Sequence, residues 1–284
     1  MNKYLTHIKF LNFWAAVLIL LFPCMVKAAD KNTYILAVVP QLPAVETHKR
    51  WTPFAEKLST ELGVTIRIKT YSSIPHFEDD LLKGTPDLAF MNPYHEVMAK
   101  KTQGYVPLVR DKKNLVGILV AHRDKGINSV KDLINKEIAF PSPNAFAASL
   151  YMRALLTEKE KIVFKPLYVK THTNVYLNVV LGKVPAGGGV NNTLAREQED
   201  LKGLLKIIYE TPGSAPHPIS AHPRVKKVFI KKFIEAVLNL TEDKNNSELL
   251  NNIQMPEPVK ADYLRDYSPL EKLELSKYAV TGTE

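Results

Sequence analysis

The chain has 284 residues, of which 45% are hydrophobic and 24% charged, and 38 Lys and Arg against 29 Asp and Glu give a net charge of +9. That length supports one large core or two smaller ones. The basic residues are scattered with no basic-aromatic stripe, which argues against a nucleic-acid partner.

Lys3 and Lys9 precede an apolar run over residues 10–26, and Val26-Lys27-Ala28 closes it. A basic start, a short apolar run and small residues before a cut read as a secretory leader, residues 1–28, cleaved before Ala29. An uncleaved membrane anchor is the alternative, since about 17 apolar residues lie at the lower edge of a spanning helix. Pro23 ahead of Cys24 fits a lipoprotein signal poorly. Removing the leader takes three lysines and no acid, so the charge falls from +9 to +6. It also removes the one cysteine, which excludes thiol catalysis and zinc-thiolate sites in the exported chain.

Beyond the leader, short runs rich in Ile, Val and Leu alternate with helical patterns. Strands are predicted over 34–39, 65–70, 87–91, 115–121, 137–140, 165–169, 187–190 and 205–209. Helices are predicted over 50–62, 77–83, 94–102, 145–157, 174–181, 191–198, 225–240 and 270–278. This alternation argues for an α/β protein, its sheets flanked by helices. Two uninterrupted apolar strands, 115–121 and 204–209, read as crossings between two lobes. The first lobe is then residues 29–114 plus 212–284 and the second 115–211, around a hinged cleft.

The junction Phe140-Pro141-Ser142-Pro143-Asn144-Ala145-Phe146 turns a strand directly into a helix. Proline stops the strand, and Ser142 and Asn144 suit a helix start. Backbone N–H groups at the positive end of a helix dipole then face the carboxyl end of a strand, a general anion site. Ser142, Asn144, Ala145 and Phe146 are the candidate cradle; a plain capping turn under Phe146 is the alternative. Asn92-Pro93-Tyr94 repeats the pattern, with Asn92 as cap and Tyr94 supplying a hydroxyl to the cleft. Gly187-Gly188-Gly189 permits close backbone approach, so Gly188 either offers an N–H to the cleft or packs against a helix. His172 and Thr173 sit in a turn before a helix, and His217 follows the second crossing strand. Pro40, Trp51 and Tyr71 are candidate walls of the first lobe. His217 and His222 lack a third ligand nearby, so no metal and no other cofactor is expected. Glu78-Asp79-Asp80 reads as a solvated acidic run. No nucleophile elbow, Walker loop or zinc-protease motif is present, and an enzyme is not expected.

Four stretches together resemble the phosphate/phosphite/phosphonate-type periplasmic substrate-binding proteins, the binding component of ABC importers. They are Tyr34-Ile35-Leu36-Ala37-Val38-Val39-Pro40 with Trp51-Thr52-Pro53-Phe54, then Gly84-Thr85-Pro86-Asp87-Leu88-Ala89-Phe90-Met91-Asn92-Pro93-Tyr94. The third is Phe140-Pro141-Ser142-Pro143, and the fourth runs from His172-Thr173-Asn174-Val175-Tyr176 to Gly187-Gly188-Gly189-Val190. The resemblance implies a two-lobed Venus-flytrap fold of type II, a mixed sheet in each lobe, two hinge strands, and a ligand-contacting histidine near His172. It implies capture of a small oxyanion in the periplasm for an inner-membrane ABC permease. A sensory co-receptor docking on a membrane histidine kinase is the alternative. Two departures stand out. Asn144-Ala145-Phe146 replaces the family's hydroxyl-rich run, and Pro185-Ala186 stands where many members carry an acid, so an amino group on the ligand loses its counter-charge. A donating His172 imidazolium would make affinity greatest below a free value near 6.5.

Overall fold

The computed structural model describes residues 32–280, so the leader and the cleavage position lie outside the described residues. The chain runs β1 (Thr33–Val38), α1 (Ala44–Leu62), β2 (Thr65–Lys69), α2 (Ile74–Leu82), β3 (Leu88–Phe90), α3 (Pro93–Gln103) and β4 (Val106–Asp111). It continues through β5 (Gly117–His122), β6 (Glu137–Phe140), a helix α4 made of Phe146–Leu150 and Tyr151–Glu158, β7 (Lys165–Tyr168), α5 (His172–Val180) and β8 (Ala186–Val190). After α6 (Asn191–Leu194), α7 (Glu199–Gly203) and β9 (Leu205–Glu210) come β10 (Pro218–Ala221), α8 (Lys227–Asn239), α9 (Ser247–Asn252) and β11 (Pro258–Lys260).

Two mixed sheets result. The first has the order β11-β4-β10-β3-β1-β2 and the second β7-β6-β8-β5-β9. In the first, β1 runs parallel to β2 and β3, while β10 is antiparallel to β3 and β4. In the second, β6 runs parallel to β7 and β8, while β5 is antiparallel to β8 and β9. Strands β4, β10 and β11 are additions to the sequence expectation. Each holds a proline, and its pairing is with residues far along the chain. The expected helix over 270–278 is instead two short 3₁₀ turns.

The first sheet packs on α1, which buries Trp51, Phe54 and Leu58, and on α8, which buries Phe229 and Phe233. Tyr34 of β1 stacks on Phe229 with centroids 3.9 Å apart. The α1 helix stops at Gly63, which takes the left-handed conformation at φ 66 that favours glycine. The second sheet is covered on both faces. Leu119 and Phe140 pack with Met152 and Leu156 of α4 on one side, and Ile118, Val120 and Ala139 pack with Val175 and Val179 of α5 on the other. That alternation is the two-residue period of a strand buried on both faces.

Strands β5 and β9 pair with each other at the edge of the second sheet, and the Leu115–Ser214 bridge lies just beyond that pairing. The chain passes between the sheets just before β5 and just after β9. There Leu115 N–H donates to Ser214 O at 2.9 Å and Ser214 N–H donates to Leu115 O at 3.0 Å. These two hydrogen-bonded segments hold the sheets side by side.

Candidate functional site

The α4 helix opens without a side-chain cap. Ala145 precedes it and offers no acceptor. Its first turn is a π-turn: the N–H groups of Leu150 and Tyr151 bond five residues back, to the carbonyls of Ala145 and Phe146. The N–H groups of Phe146, Ala147 and Ala148 bond no backbone carbonyl or side chain among the described residues. Helix starts leave donors open in this way, and π-turns recur at functional sites.

Glycine packing sets the position of this turn. A Cβ on Gly117 would lie 2.2 Å from the Ala147 carbonyl oxygen, and one on Gly188 would lie 2.1 Å from the Ala148 carbonyl oxygen. The second sheet therefore presses its backbone directly against the helix start. Gly188 contributes that close approach and does not itself line the cavity described next.

A small cavity lies against the turn, lined by Ala145 and by Phe146, Ala147 and Ala148 of α4, by His172 at the start of α5, and by Val190. The first sheet's half contributes Val39, Gln41, Ile74, Asn92 and His217, and Leu115 comes from a crossing segment. Asn92, Ala145, Phe146, His172 and His217, singled out in the sequence, thus meet in one place. Ser142, Asn144, Tyr94 and Thr173 do not line it. Asn144 is a brace. Its Nδ2 donates to Glu78 Oε2 at 3.1 Å and to Val280 O at 2.9 Å, and its carbonyl accepts from Asn92 Nδ2 at 3.0 Å. The Thr173 hydroxyl donates to Glu197 Oε1 at 2.8 Å. Ser142 is buried with its carbonyl accepting from Ala145 N–H, and half-buried Tyr94 packs on the first core. Trp51 packs between Phe54 and Phe90 in that core.

The second helix start at the cavity differs. Asn92 Oδ1 accepts from His95 N–H at 2.8 Å, so α3 is capped by its own chain. His95 Nε2 lies 2.7 Å from Glu78 Oε1, which makes Glu78 a half-buried partner and not a fully solvated acid.

Among the described residues, no carboxylate, lysine or arginine lines the cavity. Burial holds His172 down to about 4. It holds His217 down to about 3, with the neighbouring His95, His172 and Arg196 adding to the shift. Both rings are therefore neutral at pH 7. His172 Nδ1 lies 3.3 Å from Thr193 Oγ1, and His217 stacks on Phe90 at 5.2 Å with its Nε2 3.2 Å from Gln41 Nε2. The cavity is thus uncharged, lined by apolar groups, the carboxamides of Gln41 and Asn92, two neutral imidazoles and a helix start with open N–H groups. Such a surface suits an anion held by dipoles. Gln41 is the residue that sequence reading passed over. It lies just beyond the carboxyl end of β1, where α/β sheets place their ligands, and that position was its signal.

Residues 36–267 match the family described as ABC transporter, phosphonate, periplasmic substrate-binding protein. The chain belongs to that family. Its members are binding proteins of transporters and not enzymes, and they act in the periplasm. A curated relative, the phosphate-import protein PhnD of Mycolicibacterium smegmatis, is 22% identical over 223 residues, 71% of this chain and 70% of that protein. In fold, this substrate-binding protein is similar to a binding component of an ABC phosphonate transporter from Pseudomonas aeruginosa, with TM-score 0.79, 15% identity and 87% of each chain covered. It is equally similar to PhnD1 of Prochlorococcus marinus in complex with methylphosphonate, with TM-score 0.79, 16% identity, and 88% of this chain and 100% of that one covered. These likenesses confirm the two-lobed periplasmic-binding fold. No helix among the described residues is long and apolar enough to cross a membrane.

Proposed function

We propose that the protein, exported by its leader, captures a small phosphate- or phosphonate-class oxyanion between the two sheets and delivers it to an ABC permease. The observation that carries this reading is the run of three N–H groups, Phe146 to Ala148, left open at a helix start inside an uncharged cavity. Each charge-assisted hydrogen bond to an anion contributes about 1.5–3 kcal/mol. Two or three of them account for a micromolar site. The names of relatives support the class of anion: one imports phosphate, and another was crystallised with methylphosphonate.

The cavity draws its walls from both sheets, so a ligand there contacts both halves and favours the closed form. A ligand touching one half alone would shift nothing. The ABC-transporter family match favours delivery to a permease over docking on a sensor kinase. With no carboxylate in the lining, an aminoalkyl group finds no counter-charge, and methylphosphonate should bind more tightly than 2-aminoethylphosphonate. A thermal-shift screen of phosphate, phosphite, methylphosphonate, 2-aminoethylphosphonate and sulfate on the leaderless protein tests this. A ligand at 100 times its Kd stabilises the folded state by about 2.7 kcal/mol. The reading expects a clear rise with at least one phosphorus oxyanion, and no rise with any of them contradicts it.

A further inference from the structure

A second and larger cleft lies beside the inner cavity and shares Leu115 with it. Arg50 of α1 and Arg196, which follows α6, both line it, one from each half of the molecule. Both side chains are half-buried. Arg50 Nε donates to Glu46 Oε1 at 2.7 Å. Arg196 donates to the Asn251 carbonyl at 3.0 Å and forms no ion pair among the described residues. Burial, with the charge of Arg50 second, lowers Arg196 to about 10, so it stays cationic at neutral pH. Among the described residues, the one acid in the lining is Asp111, whose oxygens already accept from the backbone N–H groups of Lys113, at 3.0 Å, and Glu257, at 2.9 Å. Lys113 adds a further positive charge at this cleft.

A relay of carboxamides runs from the inner cavity to the outer cleft. His217 and Gln41 line the inner cavity, Gln254 and Asn192 line the outer cleft, and consecutive members are hydrogen-bonded. Asn192 Nδ2 donates to Gln254 Oε1 at 2.8 Å, and Gln254 donates to Gln41. The two ends of the relay, His217 Nδ1 and Asn192 Oδ1, are buried with no partner among the described residues. The relay holds equally well in reverse. With the three amides turned over and His217 donating from Nε2, the atom left without a partner is an Asn192 N–H.

We propose that the outer cleft is a subsite for a second anionic group, a carboxylate or phosphate, carried on the tail of the ligand whose phosphonate head occupies the inner cavity. This rests on the head-site reading above. An uncompensated arginine in a half-buried cleft, a second arginine facing it from the other half, and carboxamide donors between them are complementary to a negative tail. The ligand class is then a small dianion such as a carboxyalkylphosphonate. A cationic tail would meet two arginines and a carboxylate already engaged. A tail bridging Arg50 and Arg196 would also tie the two halves together and favour closure.

Calorimetry on the leaderless protein with methylphosphonate and 3-phosphonopropionate tests this. The expected result is at least tenfold tighter binding of the dianion. That ratio should fall to near one in Arg196→Gln and lie between in Arg196→Lys, which keeps the charge. Equal affinities for the two compounds in the wild type, or a ratio unchanged in Arg196→Gln, overturn the tail subsite alone. An effect of added acetate equal to that of the attached carboxylate makes the cleft an independent anion site and overturns the tail assignment. Binding of neither phosphonate overturns the head-site reading and the tail assignment with it.

Discussion

Two helix starts meet at the inner cavity, and they handle the same problem in opposite ways. At α3 the chain supplies its own acceptor: Asn92 caps the turn, and Glu96 adds a carboxyl group in the first turn. At α4 there is no cap and no acid, Ala145 stands at the cap position, and a π-turn follows. A helix end satisfied by its own side chains has little left for a ligand, whereas one left open keeps donors and dipole for it. The contrast shows where a protein without charge in its cavity can still hold an anion.

The largest expected effect comes from disturbing the packing that sets the open start. Gly188→Ala would drive a Cβ into the Ala148 carbonyl and the Phe140 ring, at 2.1 and 2.6 Å. Overpacking of this kind costs about 3 kcal/mol or more, a drop of about 6–12 °C in Tm. Gly203→Ala, where a Cβ meets nothing within 4 Å, should change Tm little, and scanning calorimetry of the pair compares them. Making the open start resemble the capped one comes next. Ala145→Asp places a carboxylate where the ligand's oxygens are expected, and should weaken methylphosphonate binding about 100-fold by losing two strong hydrogen bonds, without lowering ligand-free Tm. Asn92→Ala is its mirror, costing about 1 kcal/mol of ligand-free stability and less affinity. Equal affinity losses in the two would erase the distinction.

The acid of the capped start gives a pH test. Glu96 is buried, accepts from Ser220 Oγ at 2.6 Å, and burial raises its pKa to about 7. The folded state therefore binds its proton more tightly than the unfolded chain. That stabilisation is full below about pH 4.3, the ordinary glutamate value, and is lost as pH rises through about 7. Glu96→Gln should match the wild type near pH 4 and exceed it by up to about 3 kcal/mol at pH 8. Urea titrations at the two pH values measure this, and an equal gap at both contradicts it. The smallest effect concerns the histidines. With His172 held down to about 4 and His217 to about 3, both are already neutral across pH 6.5–8.5. A bound anion raises those values, so any gain in affinity is complete below about pH 4 and vanishes as pH rises through the bound-state value. Once the ligand's own ionisation is subtracted, affinity should vary less than about twofold from pH 6.5 to 8.5.

Much of the fold was legible because its signals are local. The apolar run of β1, the Pro-Ser-Pro break before α4 and the glycine-ended α1 each announce themselves within a few residues. Strand β10 does not: Pro218-Ile219-Ser220-Ala221 becomes a strand only because β3 and β4 flank it. The same divide runs through the candidate site. Asn92, Ala145 and His172 stand at helix starts that the sequence marks, and His217 follows a predicted strand. Glu78 read as solvated because nothing local foretells its bond to His95 and its contact with Asn144. Gly188 read equally as a donor or a packing residue, and only the facing Ala148 carbonyl separates those roles. Arg50 and Arg196 are ordinary scattered cations until folding sets them at one cleft.

The central claim concerns three amides, and they can be watched directly. In a titration of isotopically labelled protein with methylphosphonate, the account predicts that the N–H resonances of Phe146, Ala147 and Ala148 shift furthest downfield, as amides do when they donate to an oxyanion. Saturable binding that leaves those three resonances unmoved would contradict it.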